Sequence, residues 1–243
     1  MQTQTSLNGL TLALPKQEKL KNPIIAYLKS KGFMLAEDGE TGVLVDINGN
    51  IPKIRVEFVR AADALLLMER KVVDLAIIGS DVATENTCGK DPAFEKPDIK
   101  LDLGIAGCTF DLAVPDELLQ NFKSPADVNG LRIATSYPNI LEEWLKKNNI
   151  EASEIFVREG SVESSIRMGL ADVVADLVDT GGTLRKNKLT SAYRIASTSA
   201  VCYARKNMDV LTSMLTNEFI LQLRKNRSPV TTPTVQTAEC AMA

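Results

Sequence analysis

The sequence predicts an α/β protein of two lobes, each built on a mixed sheet flanked by helices, with a ligand cleft between them. Three observations lead there. Short apolar runs alternate with helix-spaced segments along the whole chain, a pattern that calls for sheets covered by helices. Glycine and proline around residues 104–116 mark a lobe boundary. A long alternating stretch, Tyr193–Ala204, is suited to carry the chain back to the first lobe. The expected division is 1–108 with 193–227 as lobe I, 109–192 as lobe II, and 228–243 as a disordered tail rich in Thr, Pro and Ala. A cleft in such a design lies at the carboxyl ends of the strands.

The elements follow in order. Leu10–Leu14 is a short apolar run, read as a buried strand, and Pro15 ends it. Lys16–Lys31 has helical spacing at Leu20, Ile24, Tyr27 and Leu28, with Gly32 as its stop. Ile54–Val59 alternates as a strand, Ala61–Arg70 is a helix, and Asp74–Gly79 is a second apolar strand. Thr84–Pro97 carries Asn, Gly, Asp and Pro and reads as a surface loop. Two short strand pieces flank Gly104–Cys108 within 101–114, and Asn129–Gly130 is a turn. Leu131–Thr135, Glu154–Val157 and Val173–Val178 read as strands, and Asn139–Asn148 and Val162–Leu170 as helices. Leu184–Lys188 starts a helix or turn. Met208–Arg227 is an amphipathic helix with Val210, Leu211, Met214, Leu215, Phe219 and Leu223 on its apolar face.

Composition removes several function classes. The 243 residues carry a net charge of −3, so no overall basic field awaits nucleic acid. No apolar run approaches the roughly 20 residues of a membrane span. Met1–Gly9 is polar and lacks a signal core, which points to the cytoplasm. Cys88, Cys108, Cys202 and Cys240 are widely spaced and read as free thiols. The chain has no histidine, which excludes a Ser-His-Asp triad, a Cys-His pair and a His-ligated zinc.

The segment richest in chemistry is Val173–Leu184. An apolar strand runs into Asp176 and Asp179, then Thr180-Gly181-Gly182-Thr183, then a helix start. Glycines permit a sharp bend and close backbone approach. Successive N–H groups in such a bend form a nest for an anion, to which the Thr180 and Thr183 hydroxyls add donors. Asp176 and Asp179 are placed to accept hydrogen bonds from ribose hydroxyls or to help position a metal. Taken alone, T-G-G-T is equally an ordinary turn capped by threonine; the strand and the paired carboxylates favour a sugar-phosphate grip. Gly160-Ser161-Val162-Glu163 and Ala134-Thr135-Ser136-Tyr137-Pro138 are two further helix starts at strand ends, and a plain N-cap explains each on local grounds.

Taken in order, these segments resemble ATP phosphoribosyltransferase, the first enzyme of histidine biosynthesis. The likeness runs over roughly 10–206. It includes LALPK at 12–16, VR at 59–60, DLAIIGSDV at 74–82, LDLG at 101–104, GC at 107–108, RIATSYPNI at 132–140, GSVE at 160–163 and GLADVVADLVDTGGTL at 169–184. The last is similar to the family's phosphoribosyl pyrophosphate loop. The resemblance implies a type II periplasmic-binding-protein-like fold and transfer of a phosphoribosyl group to N1 of ATP, with release of pyrophosphate and with Mg2+ held mainly by substrate phosphates. It implies that Lys16, Lys19 and Arg60 contact phosphates of ATP or pyrophosphate, and that Glu163 and Thr135, Ser136 and Tyr137 line the cleft. Asp176 and Asp179 would hold the ribose, and Thr180, Gly181, Gly182 and Thr183 the 5′-phosphate. The chain looks like the family's short form, which implies a homo-oligomer and a separate regulatory subunit resembling a histidyl-tRNA synthetase.

Departures occur at two places. Glu18 and Lys19 stand where the family usually has glycine and arginine, and Thr109 stands where arginine usually follows Gly-Cys. A charged hydrogen bond is worth about 1.5–3 kcal/mol, so losing one or two would slow transfer by about 10²–10⁴. These departures motivate a second reading, a catalytically weak paralogue that binds nucleotide or sugar phosphate as a regulatory or assembly subunit. A third, a solute-binding module for a small acid, would call for an export signal or lipid anchor.

Overall fold

Strand β1 (Thr11–Pro15) is buried at all five residues, the mark of a strand covered on both faces. A computed structural model describes residues 9–88 and 95–225 and divides the chain into two units. The first takes the described residues up to Asn86, those of 95–106, and 199–225; the second takes Gly107–Thr198 with 87–88.

In the first unit, β1 is followed by α1 (Glu18–Ser30), β2 (Phe33–Asp38), β3 (Thr41–Asp46), β4 (Ile54–Val59), α2 (Ala61–Glu69), β5 (Leu75–Gly79), α3 (Ser80–Thr87) and β6 (Asp98–Asp102). The chain returns later as β12 (Ala200–Ala204) and α7 (Val210–Arg224). The seven strands are ordered β2-β3-β4-β1-β5-β12-β6. β1 runs parallel to β4 and β5, while β12 is antiparallel to β5 and β6. Alternation sorts β1 between two cores. Leu12 and Leu14 pack with Ile24 and Leu28 of α1 and Phe219 and Leu223 of α7. Ala13 faces the other way, toward Ala64, Leu65 and Met68 of α2 and Ala83 of α3. Phe33 and Phe219 meet edge to face at 5.2 Å, and each fully buried ring contributes about 1.5–3 kcal/mol.

Some expectations change here. The strand read over 193–204 is two strands in two sheets, β11 (Leu189–Thr198) in the second unit and β12 in the first, parted at Ser199. The crossing falls at the polar run Ser197-Thr198-Ser199, after which alternation gives way to the all-apolar Ala200–Ala204. α3 occupies 84–87 of the expected loop, and 89–94 lie outside the described residues. Its polar composition gave no apolar stripe, yet Ala83 anchors it in the core with Val82 packed alongside. The β2–β3 hairpin was not expected, because β2 is exposed over most of its length and does not alternate. In α7 the Asp209 carboxylate caps the Thr212 N–H at 2.9 Å. The helix buries Phe219, Ile220 and Leu223 but leaves Val210, Leu211 and Met214 exposed, so the expected apolar face is only half covered. The tail 228–243 lies outside the described residues.

The second unit contains β7 (Cys108–Pro115), β8 (Arg132–Thr135), α4 (Pro138–Lys147), β9 (Glu154–Val157), α5 (Ser164–Arg167), β10 (Val173–Val178), α6 (Gly182–Lys186) and β11. Its sheet runs β11-β7-β10-β8-β9, with β9, β8 and β10 parallel and β7 antiparallel to both β10 and β11. Ile140, Leu141 and Leu145 of α4 cover one face together with Phe110, Leu112 and Ala175. Val162 and Leu184 cover the other with Ala113, Ala134 and Val174. The expected helix at 162–170 shrinks to α5. Gly160 and Ser161 both hold positive φ before it, and Gly169 holds φ +71° after it.

Candidate functional site

The parallel strands of the second unit end on one edge. Val173 of β10 pairs with Ile133 of β8, and Arg132 with Glu154 of β9, so the segments leaving these three strands emerge side by side. Past β10 the chain bends at Thr180–Thr183. Gly181 takes φ +69°, and a Cβ there would lie 3.1 Å from the Arg185 Nη1. An L side chain is strained at that position by about 1–2 kcal/mol, so glycine is favoured there. Arg185 Nη2 donates to the Thr180 carbonyl at 3.0 Å and braces the bend. Gly182 is ordinary: its added Cβ would meet only Thr180 Oγ1 at 3.6 Å. No acceptor among the described residues takes the backbone N–H groups of Gly181, Gly182 or Thr183, and Thr180 and Thr183 are exposed. Free donors in a bend of this kind suit an anion.

Beside the bend, strand alternation lines up polar residues. Asp176 pairs with Asp111 of β7, and Val178 with Thr109, so Thr109, Asp111 and Asp176 share one face. Thr109 Oγ1 donates to the Val178 carbonyl at 3.3 Å. Asp176 Oδ1 accepts from the Leu177 N–H at 2.8 Å. Thr109, Asp111, Asp179, Thr180, Gly181 and Arg194 line an open recess of about 510 Å³ within this unit. Asp111, Arg194 and the recess itself were not anticipated: only the antiparallel register of β7, β10 and β11 brings them together.

At the end of β8 the three expected residues differ in role. Thr135 is fully buried, and its Oγ1 accepts the Tyr137 N–H at 2.9 Å, so it shapes the turn rather than lining a surface. Ser136 Oγ donates to the Arg158 carbonyl at 2.6 Å and ties the ends of β8 and β9. The Tyr137 ring packs on Phe110 at 5.5 Å. Glu163 stands half-buried before α5, beyond the loop that leaves β9.

The first unit has a similar edge of its own. Lys16 and Arg60 follow the adjacent parallel strands β1 and β4, and the Lys16 N–H donates to the Val59 carbonyl at 2.9 Å. Lys16 Nζ is held by Glu40 of the β2–β3 turn. That contact, by hydrogen bond and then by charge, keeps the Glu40 carboxyl below its ordinary value. Glu18 and Lys19 lie exposed in the first turn of α1. Ser80 and Asp81 occupy the same edge after β5: the Ser80 N–H donates to the Ser199 carbonyl at 2.9 Å, and Ser199 Oγ donates to Asp102 Oδ1 at 2.8 Å. These were not singled out from the sequence, although they too sit immediately past an apolar strand. Burial pushes the Cys202 thiol up to about 12, which makes it inert, and Cys88, Cys108 and Cys202 are free. Among the described residues no group of three or more acidic or cysteine side chains stands together to hold a metal. None of the described helices is long and apolar enough to cross a membrane.

Mixed sheets whose parallel strands end in polar, anion-ready bends define an α/β phosphate-handling protein of two units. Residues 60–225 match the family model described as ATP phosphoribosyltransferase. Relatives of that name are 32% identical in Cytophaga hutchinsonii (88% of this chain, 70% of that one) and 33% identical in Thermococcus kodakarensis (88% and 97%). Against the 34% identical relative from Methanopyrus kandleri, the chain spans 63% of that protein's length. The fold is like that in the ATP phosphoribosyl transferase (HisG:HisZ) complex from Thermotoga maritima, with TM-score 0.63 and 23% identity over 88% of this chain and 96% of that one. It is also like the GluR0 ligand-binding core complexed with L-glutamate, with TM-score 0.52 and 12% identity over 90% and 94%. The chain belongs to the ATP phosphoribosyltransferase family, transferases of the first step of histidine biosynthesis.

Proposed function

We propose that this chain transfers the phosphoribosyl group of phosphoribosyl pyrophosphate to N1 of ATP and releases pyrophosphate. The observation that carries this is the bend at Thr180–Thr183, with unclaimed N–H groups directly after Asp176 of β10 and Asp179 beyond its end. It suits a 5′-phosphate, with Asp176 and Asp179 as acceptors for the ribose hydroxyls. Lys16, Lys19 and Arg60 would meet phosphates of ATP or pyrophosphate. Ser136 and Glu163 would border the substrate, Thr135 would set the turn that presents them, and Tyr137 would anchor it.

Pyrophosphate is a good leaving group, so the protein's task is to align N1 with C1 and to stabilise charge on the departing phosphates. A chain without histidine can do this, because no protein nucleophile is needed. Magnesium would arrive on the substrate phosphates and neutralise them.

The family match over most of the chain favours this reading over a non-catalytic paralogue. A regulatory subunit is proposed by analogy with the HisG:HisZ complex, and exposed Val210, Leu211 and Met214 on α7 supply apolar surface for such association or for a homo-oligomer. The substrates fit a cytoplasmic setting. Purified protein mixed with ATP, phosphoribosyl pyrophosphate and Mg2+ should develop a new near-ultraviolet absorbance. If none appears with or without the regulatory subunit, the proposal is rejected.

A further inference from the structure

We infer that Arg194 is the side-chain cation that binds the 5′-phosphate in the recess beside Thr180 and Gly181. The inference rests on the function proposed above and assigns a residue that lies outside every motif of the resemblance.

Four observations place it there. Arg194 lines the recess together with Thr180 and Gly181, and it is the recess's cation. Its partner across the β11–β7 ladder is Asp111, so the two side chains share the face on which Thr109 and Asp176 also lie. The ladder shifts register between Arg194 and Ala196, and an irregularity of this kind re-aims a side chain at the rim of a sheet. Finally, the guanidinium is uncommitted. Its Nε lies 3.9 Å from Asp111 Oδ1, close enough for attraction and too far for a hydrogen bond, and the Arg194 side chain is 66% exposed.

Asp111 explains why an arginine is kept at this place. It is 5% exposed, and its Oδ2 accepts from Ser191 Oγ at 2.6 Å. Its Oδ1 is buried with no hydrogen-bond partner. A buried carboxylate with one empty side is an electrostatic debt that a nearby cation offsets. Arg194 can turn its Nε edge to Asp111 and present its terminal nitrogens to a phosphate, the forked geometry that lysine lacks. It also screens the phosphate from Asp111 and from Asp179, which lines the same recess. Thr109, in the same recess, contributes only a hydroxyl already donated to the Val178 carbonyl. Cationic binding at the position where the resemblance implies an arginine is therefore supplied here from the neighbouring strand.

Titration of the full chain with ribose 5-phosphate, with pyrophosphate, and with phosphoribosyl pyrophosphate plus Mg2+ tests this by calorimetry. Arg194→Gln should weaken ribose 5-phosphate by about 10- to 100-fold, the worth of a charge-assisted hydrogen bond, with at most a small fall in melting temperature from the loss of the cation beside Asp111. Arg194→Lys should recover part of the loss. Thr109→Arg placed in the Arg194→Gln background should restore binding, which a merely structural arginine would not allow. Unchanged ribose 5-phosphate affinity in Arg194→Gln, or a loss confined to pyrophosphate, overturns the assignment and leaves the transferase reading intact. Failure of the parent protein to bind any of the three overturns both.

Discussion

The bend after β10 and the bend after β1 both follow a strand with a parallel neighbour and precede a helix, yet they handle charge in opposite ways. After β10 the backbone makes the site: Gly181 holds a left-handed φ and leaves N–H groups facing outward. After β1 the glycine has been replaced. Gln17 is extended, Glu18 enters the first turn of α1, and Lys16 is drawn to Glu40. Glu18 is favoured by the positive end of the helix by about 0.3–1 kcal/mol, but under the proposed function it adds a negative charge beside the phosphates of ATP. A site made of main-chain donors persists as long as its glycine does. One made of side chains changes with every substitution around it.

The sharpest way to break the contrast is Gly181→Ala. Forcing a Cβ into the left-handed region against Arg185 should tilt the bend and cost two charged contacts, lowering phosphoribosyl pyrophosphate affinity on the order of a hundredfold. Calorimetry measures it, and retained affinity would show that the backbone is not the binding element.

Restoring the family pattern after β1, with Glu18→Gly and Lys19→Arg together, should raise kcat/KM for ATP by about tenfold. The same change should cost about 1 kcal/mol of stability, because glycine is a poor helix former. A gain in rate with a loss in melting temperature would show that Glu18 serves the helix at the expense of the site.

Glu40→Gln should release Lys16 and lower KM for ATP by about twofold to fivefold, as expected for an exposed ion pair. Lys16 holds the Glu40 carboxyl below its ordinary value, so in the parent the pair is intact at neutral pH and opens only as pH falls through that lowered value. The variant should therefore lose any acid-side change in ATP affinity traceable to this pair.

The smallest effect is expected at Gly182→Ala. The added methyl meets only ordinary contact, so stability should move by no more than about 1 kcal/mol. A large loss there would mean that the bend depends on both glycines.

Much of this was readable from residue order. The apolar runs at 75–79 and 173–175 read as strands covered on both faces, and T-G-G-T behind the second marked the bend that Gly181 makes. The order of motifs pointed to the family. Other features were not readable. Thr135 looked like a cleft residue and is fully buried, because a polar side chain at a strand end can as well satisfy the next turn's N–H. The stretch 193–204 reads as one long strand, and only the polar run Ser197-Thr198-Ser199 followed by the all-apolar Ala200–Ala204 hints that it leaves one sheet at Thr198 and joins another at Ala200.

Local chemistry thus settled where the chain would bend and where it would extend, since backbone freedom at glycine and burial of apolar runs depend on a few neighbouring residues. Long-range register decided which of the scattered charges meet. Asp111 and Arg194 are 83 positions apart and face each other only because β7 and β11 run antiparallel with one particular alignment. That alignment is set by how the whole sheet packs its two cores, a property no short segment carries.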